Sequence, residues 1–149
     1  MIAVIQRCLE VSVVVEGLEV SRIAKGFMVL LGVEKGDTET DLVWLADKVG
    51  CLRLFPDGNG KMNLDLREAA GAVLCVSQFT LLADCARGRR PGFQRSEDPA
   101  LAKGMWERFC QHLEEAGIPV GRGVFAADMK VSLVNDGPIT IVLDSRRRS

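Results

Sequence analysis

Ser77 and Thr80 stand three positions apart in "SQFTL" (residues 77 to 81), directly after the apolar run "AVLCV". Hydroxyls at the end of a buried strand can be nucleophiles, binding groups, or simply the polar end of the strand. Nucleophilic use needs a base to take the hydroxyl proton and normally a carboxylate to orient that base. The chain has a single histidine, His112, in a stretch that reads as mid-helix at the edge of an apolar stripe, and no G-x-S-x-G elbow surrounds Ser77. His112 therefore reads as a boundary packing residue, and conventional triad chemistry is not expected.

Other chemistry-bearing residues are sparse. "GNGK" at 58 to 61 lacks the spacing of a Walker sequence, and its Lys61 is followed by Met62 rather than Ser or Thr, so it reads as a turn. "ARGRRPGF" at 86 to 93 places Arg87, Arg89 and Arg90 in one loop, which suits phosphate contact or a solvated charged segment. Asp47 and Lys48 read as an exposed pair of little energetic weight. Cysteines at 8, 51, 75, 85 and 110 form no C-x-x-C pair, which points to reduced thiols rather than to disulfides or a metal site. Gly137-Pro138, between two apolar stretches, reads on its own as an ordinary proline turn.

The elements that must position these residues follow from pattern. A chain of 149 residues with 48% hydrophobic content supports one domain with a single large core. Residues 1 to 33 are rich in β-branched side chains and punctuated by Gly17 and Gly26, predicting four opening strands. Thr38 with Asp41 makes a capping-box start to a helix carrying Leu42, Leu45, Ala46, Val49 and Leu52. "FPDGNGKMN" is turn chemistry, and "AVLCVSQF" has the continuous apolar character of a strand covered on both faces. Residues 84 to 98 lack an apolar period and read as a mobile or functional loop. Asp98 and Pro99 start a second helix with a stripe of Leu101, Met105, Phe109, Leu113 and Ala116, stopped by Gly117 and Pro119. Two strands around the "NDGP" turn complete the domain, and "SRRRS" at 145 to 149 reads as a frayed basic tail. The net charge of −1 excludes bulk electrostatic capture of nucleic acid, so any phosphate contacts must be local. With no signal-like N-terminus and no apolar run near the length of a membrane helix, a soluble cytoplasmic protein is expected.

Taken together, "SQFTL" at 77 to 81 and "NDGPIT" at 135 to 140 resemble the paired signature of the D-aminoacyl-tRNA deacylases. The resemblance runs over residues 1 to 144, through "VIQRCLEVSVVVEG", "GFMVLLGV", "LADKVGCLRLF", "GKMNLDL", "LLADCARGRRPGF" and "FAADMKVSLVNDGP". Departures fall at Cys85, Ala86 and Gly92 in the arginine loop, and at Ala126, where the family often has glycine.

The resemblance implies a single α/β domain of the α+β type, with a mostly antiparallel, barrel-like sheet and two main outer helices, working as a homodimer. It implies hydrolysis of the ester of D-aminoacyl-tRNA, and of mischarged glycyl-tRNA, without metal or cofactor. Ser77, Gln78, Phe79 and Thr80 would form the wall holding the 3′-terminal adenosine and the ester, their backbone N–H groups facing the developing oxyanion. Asn135, Asp136, Gly137, Pro138, Ile139 and Thr140 would form the chiral filter. Its Gly-Pro bond is cis in the family, and the dipeptide reaches into the partner's pocket to hold the substrate ammonium and exclude L side chains. Arg7 would brace this dipeptide, Met129 and Phe125 would line the pocket, and Arg87, Arg89 and Arg90 would contact tRNA phosphates. A dimeric non-catalytic module binding a nucleic-acid end or an amino acid is the competing reading. A conventional serine or threonine esterase would need a base the sequence does not supply.

Overall fold

The computed structural model describes residues 1 to 148. Its first strand, β1 (Ile2–Val15), turns at Glu16 and Gly17, both with positive φ (50° and 80°), into β2 (Leu18–Ile23). A two-residue turn with both central residues left-handed matches the twist of the strands it joins, and Gly17 takes the second position without a Cβ penalty. β3 (Gly26–Gly32) follows, so three strands rather than the expected four open the chain. The whole first apolar stretch is one long strand, because β1 pairs antiparallel with β3 along its first half and with β2 along its second.

α1 (Glu39–Cys51) starts at the expected capping box: the Asp41 carboxylate accepts from the Thr38 N–H at 2.9 Å and from its hydroxyl at 2.8 Å. A short hairpin, β4 (Phe55–Pro56) and β5 (Met62–Leu64), carries the "DGNGK" turn. The chain then enters β6 (Ala72–Ser77), parallel to β3. At Gly26 a Cβ would lie 1.8 Å from the Ala72 carbonyl oxygen, so only glycine permits this approach. After a single 3₁₀ turn and the 84 to 98 loop, α2 (Pro99–Glu115) begins at Asp98, whose side chain accepts from Ala100 N–H with Pro99 in the first turn. β7 (Val120–Arg122) pairs parallel with β6. β8 (Lys130–Asp144) runs antiparallel along the length of β1.

The sheet is mixed, with antiparallel pairs around β1 and parallel pairs at β3, β6 and β7. It curls until β7 meets β2: a Cβ on Gly121 would lie 2.6 Å from Ser21 Oγ. Alternating side chains then separate two cores. Phe27, Val29, Leu31, Val73 and Cys75 face the helices, where they pack with Leu42, Leu45, Val49, Phe109 and Leu113. Met28, Leu74 and Val76 point into the barrel with Val11, Val13 and Ile23. Burying each such side chain contributes about 1.5–3 kcal/mol, and Phe109→Ala would cost about 3–5 kcal/mol through the cavity it leaves.

Three further expectations are corrected. The buried face of α2 is Trp106, Phe109, Cys110 and Leu113, while Leu101 is 61% exposed and Ala116 lies outside the core. Steps of four residues overshoot a helical turn by about 40°, so the run of fours from Leu101 to Leu113 starts off the face that steps of three and four keep, while Ala116 is the C-cap beyond the helix. The last two strands are one continuous strand with a bulge at the "NDGP" segment. The basic tail is docked over residues 145 to 148. There Ser145 is buried and its N–H donates to the Met1 carbonyl, Arg146 pairs with Glu34 and Asp37, and Arg148 pairs with Asp41 and lies 5.4 Å from the Trp44 ring. Ser149 lies outside the described residues. Among those residues, no helix is long and apolar enough to cross a membrane.

Candidate active site

A cavity of about 610 Å³ opens where the inner core ends, between the end of β6, the loop before α2, and residues 125 to 131. β6 delivers one wall. Its last residue, Ser77, pairs with Leu31, and the next N–H, of Gln78, donates to the Leu31 carbonyl at 2.8 Å. There the chain leaves the sheet for the 3₁₀ turn Phe79–Leu82, anchored by the fully buried Leu82. The first N–H groups of a helical turn have no carbonyl behind them. Accordingly, those of Phe79 and Thr80 donate to no backbone acceptor among the described residues.

Ser77, Gln78 and Phe79 line the cavity, and Thr80 does not. The Thr80 hydroxyl accepts from the Gln78 side-chain amide, so it is tied into the turn and faces no base. The adjoining wall is Phe93 and Ser96: Phe93 meets Phe79 edge to face at 5.0 Å, and Ser96 Oγ donates to the Phe79 carbonyl at 3.4 Å. Phe125 and Met129 line the third side. Met129 Sδ accepts from Val124 N–H at 3.4 Å, and Phe125 packs on Trp106. Ala126, also in the lining, has φ 62°, a left-handed conformation that glycine adopts at no cost.

Candidate nucleophiles and bases are few. Glu97 is the one carboxylate in the lining, and it accepts from Asp98 N–H at 2.8 Å. His112 is bound to Asp47 across the helix pair at 2.7 Å, which makes it a boundary residue and gives Asp47 a partner the sequence did not reveal. The Cys75 thiol, on the helix side of β6, is pushed up by burial, and desolvation likewise raises Cys8, so neither supplies a thiolate.

The "NDGPIT" residues lie elsewhere on the chain, and none of them lines this cavity. On β8, Asn135 pairs with Cys8 and Thr140 with Gln6, leaving Asp136 to Ile139 bulged out opposite the single residue Arg7. The Asn135 amide closes the neck of the bulge, donating to the carbonyls of Arg7 at 2.9 Å and Ile139 at 3.1 Å. Arg7, almost fully buried, places Nε 2.9 Å from Asp136 Oδ2 and donates from Nη1 to the Leu54 carbonyl. Gly137 and Pro138 form the exposed tip, joined by a cis peptide bond. A Cβ on Gly137, whose φ is 116°, would meet Ile139 at 2.9 Å and the Arg7 guanidinium at 3.3 Å, so the tip fits glycine alone.

The arginine loop is pinched at its base by the mutual backbone bonds of Asp84 and Gly92, at 2.7 and 2.8 Å. Arg87, Arg89 and Arg90 are all exposed, and none of them is in an ion pair among the described residues. Sequence reasoning missed Phe93, Ser96 and Glu97, which sit in an aperiodic segment. It also missed Glu34, a carboxylate buried behind them. The signal available was the lone acid that ends the otherwise apolar "FMVLLGVE".

The family model described as D-Tyr-tRNA(Tyr) deacylase matches residues 4–144. A D-aminoacyl-tRNA deacylase of Geobacter sulfurreducens is 54% identical over 147 residues, covering 99% of this chain and 97% of that protein. A solved structure described as c-Myc DNA Unwinding Element Binding Protein superposes with a TM-score of 0.92 at 37% identity, over 97% of this chain and 98% of its own. A second, a probable eukaryotic D-amino acid tRNA deacylase, has a TM-score of 0.79 at 17% identity, covers 95% and 97% of the two chains, and is similar in fold.

Proposed function

The chain belongs to the D-Tyr-tRNA(Tyr) deacylase family, and from that premise we propose that it hydrolyses the ester of D-aminoacyl-tRNA and of glycyl-tRNA in the cytoplasm. The observation that carries the reading is the Phe79 N–H at the cavity wall, without a backbone acceptor and followed in the same turn by the equally free Thr80 N–H, in a lining whose one carboxylate, Glu97, is bonded to Asp98 N–H. An aminoacyl ester beside a ribose 2′-hydroxyl is already activated, so positioning and oxyanion stabilisation suffice to lower its barrier. Water adds to the ester carbonyl and the oxyanion faces the two N–H groups. The ribose oxygen then leaves, with the 2′-hydroxyl or a second water carrying the proton.

Chirality is read by Gly137-Pro138 of a second protomer. The tip stands outside its own cavity, braced by Arg7 and Asn135, while among the described residues β8 pairs with β1 alone and leaves an exposed edge carrying Val134 and Val142. Two protomers meeting along that edge can exchange tips. The tip's backbone carbonyls accept hydrogen bonds from the substrate ammonium, and an amine held there directs a D side chain outward and an L side chain into backbone. The filter excludes L-residues and ignores side-chain identity, so glycine passes.

Following ester loss from D-tyrosyl-tRNA and L-tyrosyl-tRNA tests the reading. Rapid loss of the D-ester alone, from a species that sediments as a dimer, is expected. Equal survival of both esters would leave only a binding module.

A further inference from the structure

Glu34 is a charged side chain 9% exposed, just past the end of β3, and it touches no substrate surface. Its Oε1 lies 2.8 Å from Arg95 Nε and 3.2 Å from Arg146 Nη1. Each arginine comes from a different part of the chain: Arg95 from the cavity-wall segment, Arg146 from the docked C-terminus. Two guanidinium groups on one buried carboxylate form a geometrically demanding contact, because a buried charge tolerates neither loss of a partner nor a change of distance. The adjacent arginines, Arg95 first, hold the Glu34 carboxyl below its usual range, so it is ionised at neutral pH.

The backbone beside this contact runs straight to the cavity. Lys35 N–H donates to the Arg95 carbonyl at 2.9 Å and Glu97 N–H to the Val33 carbonyl at 3.1 Å, with Glu34 bridged to Ser96 between them. Ser96 and Phe93 are the residues that touch Phe79. The 93 to 97 segment has no helix or strand of its own, so its place is set by this short ladder, by the Phe93–Phe79 contact and by the Arg95–Glu34 ion pair. Arg146 in turn bonds the Lys35 carbonyl and Asp37, which fixes the far side of the carboxylate.

We infer that Glu34 is a positioning residue that, gripped by Arg95 and by Arg146 of the C-terminal segment, fixes the Phe93–Ser96 wall against Phe79 and so sets the affinity of the cavity for the aminoacyl-adenosine end. This rests on the deacylase reading of that cavity. It also gives residues 145 to 148, outside the family-matched region, a part in substrate binding without any contact to substrate.

The test uses a D-tyrosyl ester of adenosine, a fragment with no phosphate, so a lost arginine cannot act through tRNA charge. Glu34→Gln, Arg95→Ala and removal of residues 146 to 149 should each raise KM by about tenfold, with kcat within about twofold. Combining Glu34→Gln with Arg95→Ala should add little, since contacting residues are coupled. Arg95→Lys, which keeps the charge, should recover part of the loss. An unchanged KM in Arg95→Ala, a surface change that leaves the core intact, would overturn the inference even if Glu34→Gln failed to fold. So would a fall in kcat alone, or strict additivity. Wild-type protein unable to cleave the fragment or D-tyrosyl-tRNA would instead remove the deacylase reading.

Discussion

Arg7 Nε and Asp136 Oδ2 lie 2.9 Å apart, joining the middle of β1 to the bulge of β8 across the wider of the two breaks in the ladder between those strands. Register constrains every other residue of β8; at the tip this ion pair and the two Asn135 bonds do so instead. The arginine is nearly buried while the aspartate is about a third exposed (37%), so most of the desolvation falls on Arg7. Its remaining donors are directed to Leu54 and toward Gly137.

Arg7→Ala should therefore loosen the tip more than the fold. A loss of about 1–3 kcal/mol in unfolding free energy is expected from the removed Asp136 ion pair and the charged hydrogen bond to Leu54. The D-to-L ratio of kcat/KM on tyrosyl-tRNA should fall by roughly tenfold, the equivalent of about 1.4 kcal/mol. Unaltered discrimination in a folded Arg7→Ala protein would show that the tip needs no brace.

Thr80→Ala should keep appreciable activity. The hydroxyl is bonded to Gln78, lies off the cavity lining and has no base beside it, whereas the Thr80 N–H survives the substitution. Single-turnover deacylation of D-tyrosyl-tRNA is the measurement. An aminoacyl adduct trapped on Thr80, or abolished turnover with binding intact, would make the hydroxyl the nucleophile.

Locally encoded features were legible in the sequence and long-range ones were not. The Thr38–Asp41 box, the Asp98–Pro99 start of α2 and the turn at Gly17 are each complete within a few residues, so their chemistry can be read directly. The unity of β8 could not be, since "NDGP" has every local mark of a strand end and only the partner strand β1 carries pairing across it. Arg146 looked frayed because its partners, Glu34 and Asp37, are more than a hundred positions away. In the cavity, Ser77, Gln78, Phe79, Phe125 and Met129 were named from signature and resemblance. Phe93 and Ser96 were not, because an aperiodic loop gives no period from which to infer a face.

Stability should fall in acid, through two carboxylates in particular. Burial raises the Asp41 carboxyl, but bonds from the Thr38 hydroxyl and N–H, from Ser145 and from Arg148 outweigh it and depress the group strongly; Glu34 is depressed by Arg95. A carboxylate with a folded-state pKa below its unfolded value stabilises the fold above the unfolded value, about pH 4, and the contribution disappears as pH drops toward the folded value. Urea midpoints at fixed protein concentration should thus drop between pH 5 and pH 2, taken as roughly the window of ordinary carboxylate titration. Asp41→Asn should cost about 1–2 kcal/mol at neutral pH and flatten that dependence. A variant with the wild-type acid slope would place the titrating groups elsewhere.

The arginine loop bears the last expectation. A protein of net charge −1 that binds a polyanion must concentrate its phosphate contacts. Two basic clusters are available, and the structure separates them by their partners. Arg146 and Arg148 are occupied by Glu34, Asp37 and Asp41, and Arg147 lies 3.5 Å from Asp144. Arg87, Arg89 and Arg90 stand exposed on a loop pinched at Asp84 and Gly92, with no ion-pair partner among the described residues to displace. That loop leads directly into Phe93 at the cavity wall, which would put its charges beside the 3′ end in the proposed binding mode. Each phosphate neutralised on a single strand contributes about −0.7 to the slope of log K against log salt. Replacing all three arginines with alanine should weaken aminoacyl-tRNA binding and flatten the slope by roughly two units. The D-to-L ratio should be unchanged, because the proposed filter is at Gly137-Pro138 and not in this loop. Binding titrations across a salt series decide the point: a slope equal to wild type would make this loop a solvated surface segment and return the phosphate contacts to the C-terminal arginines.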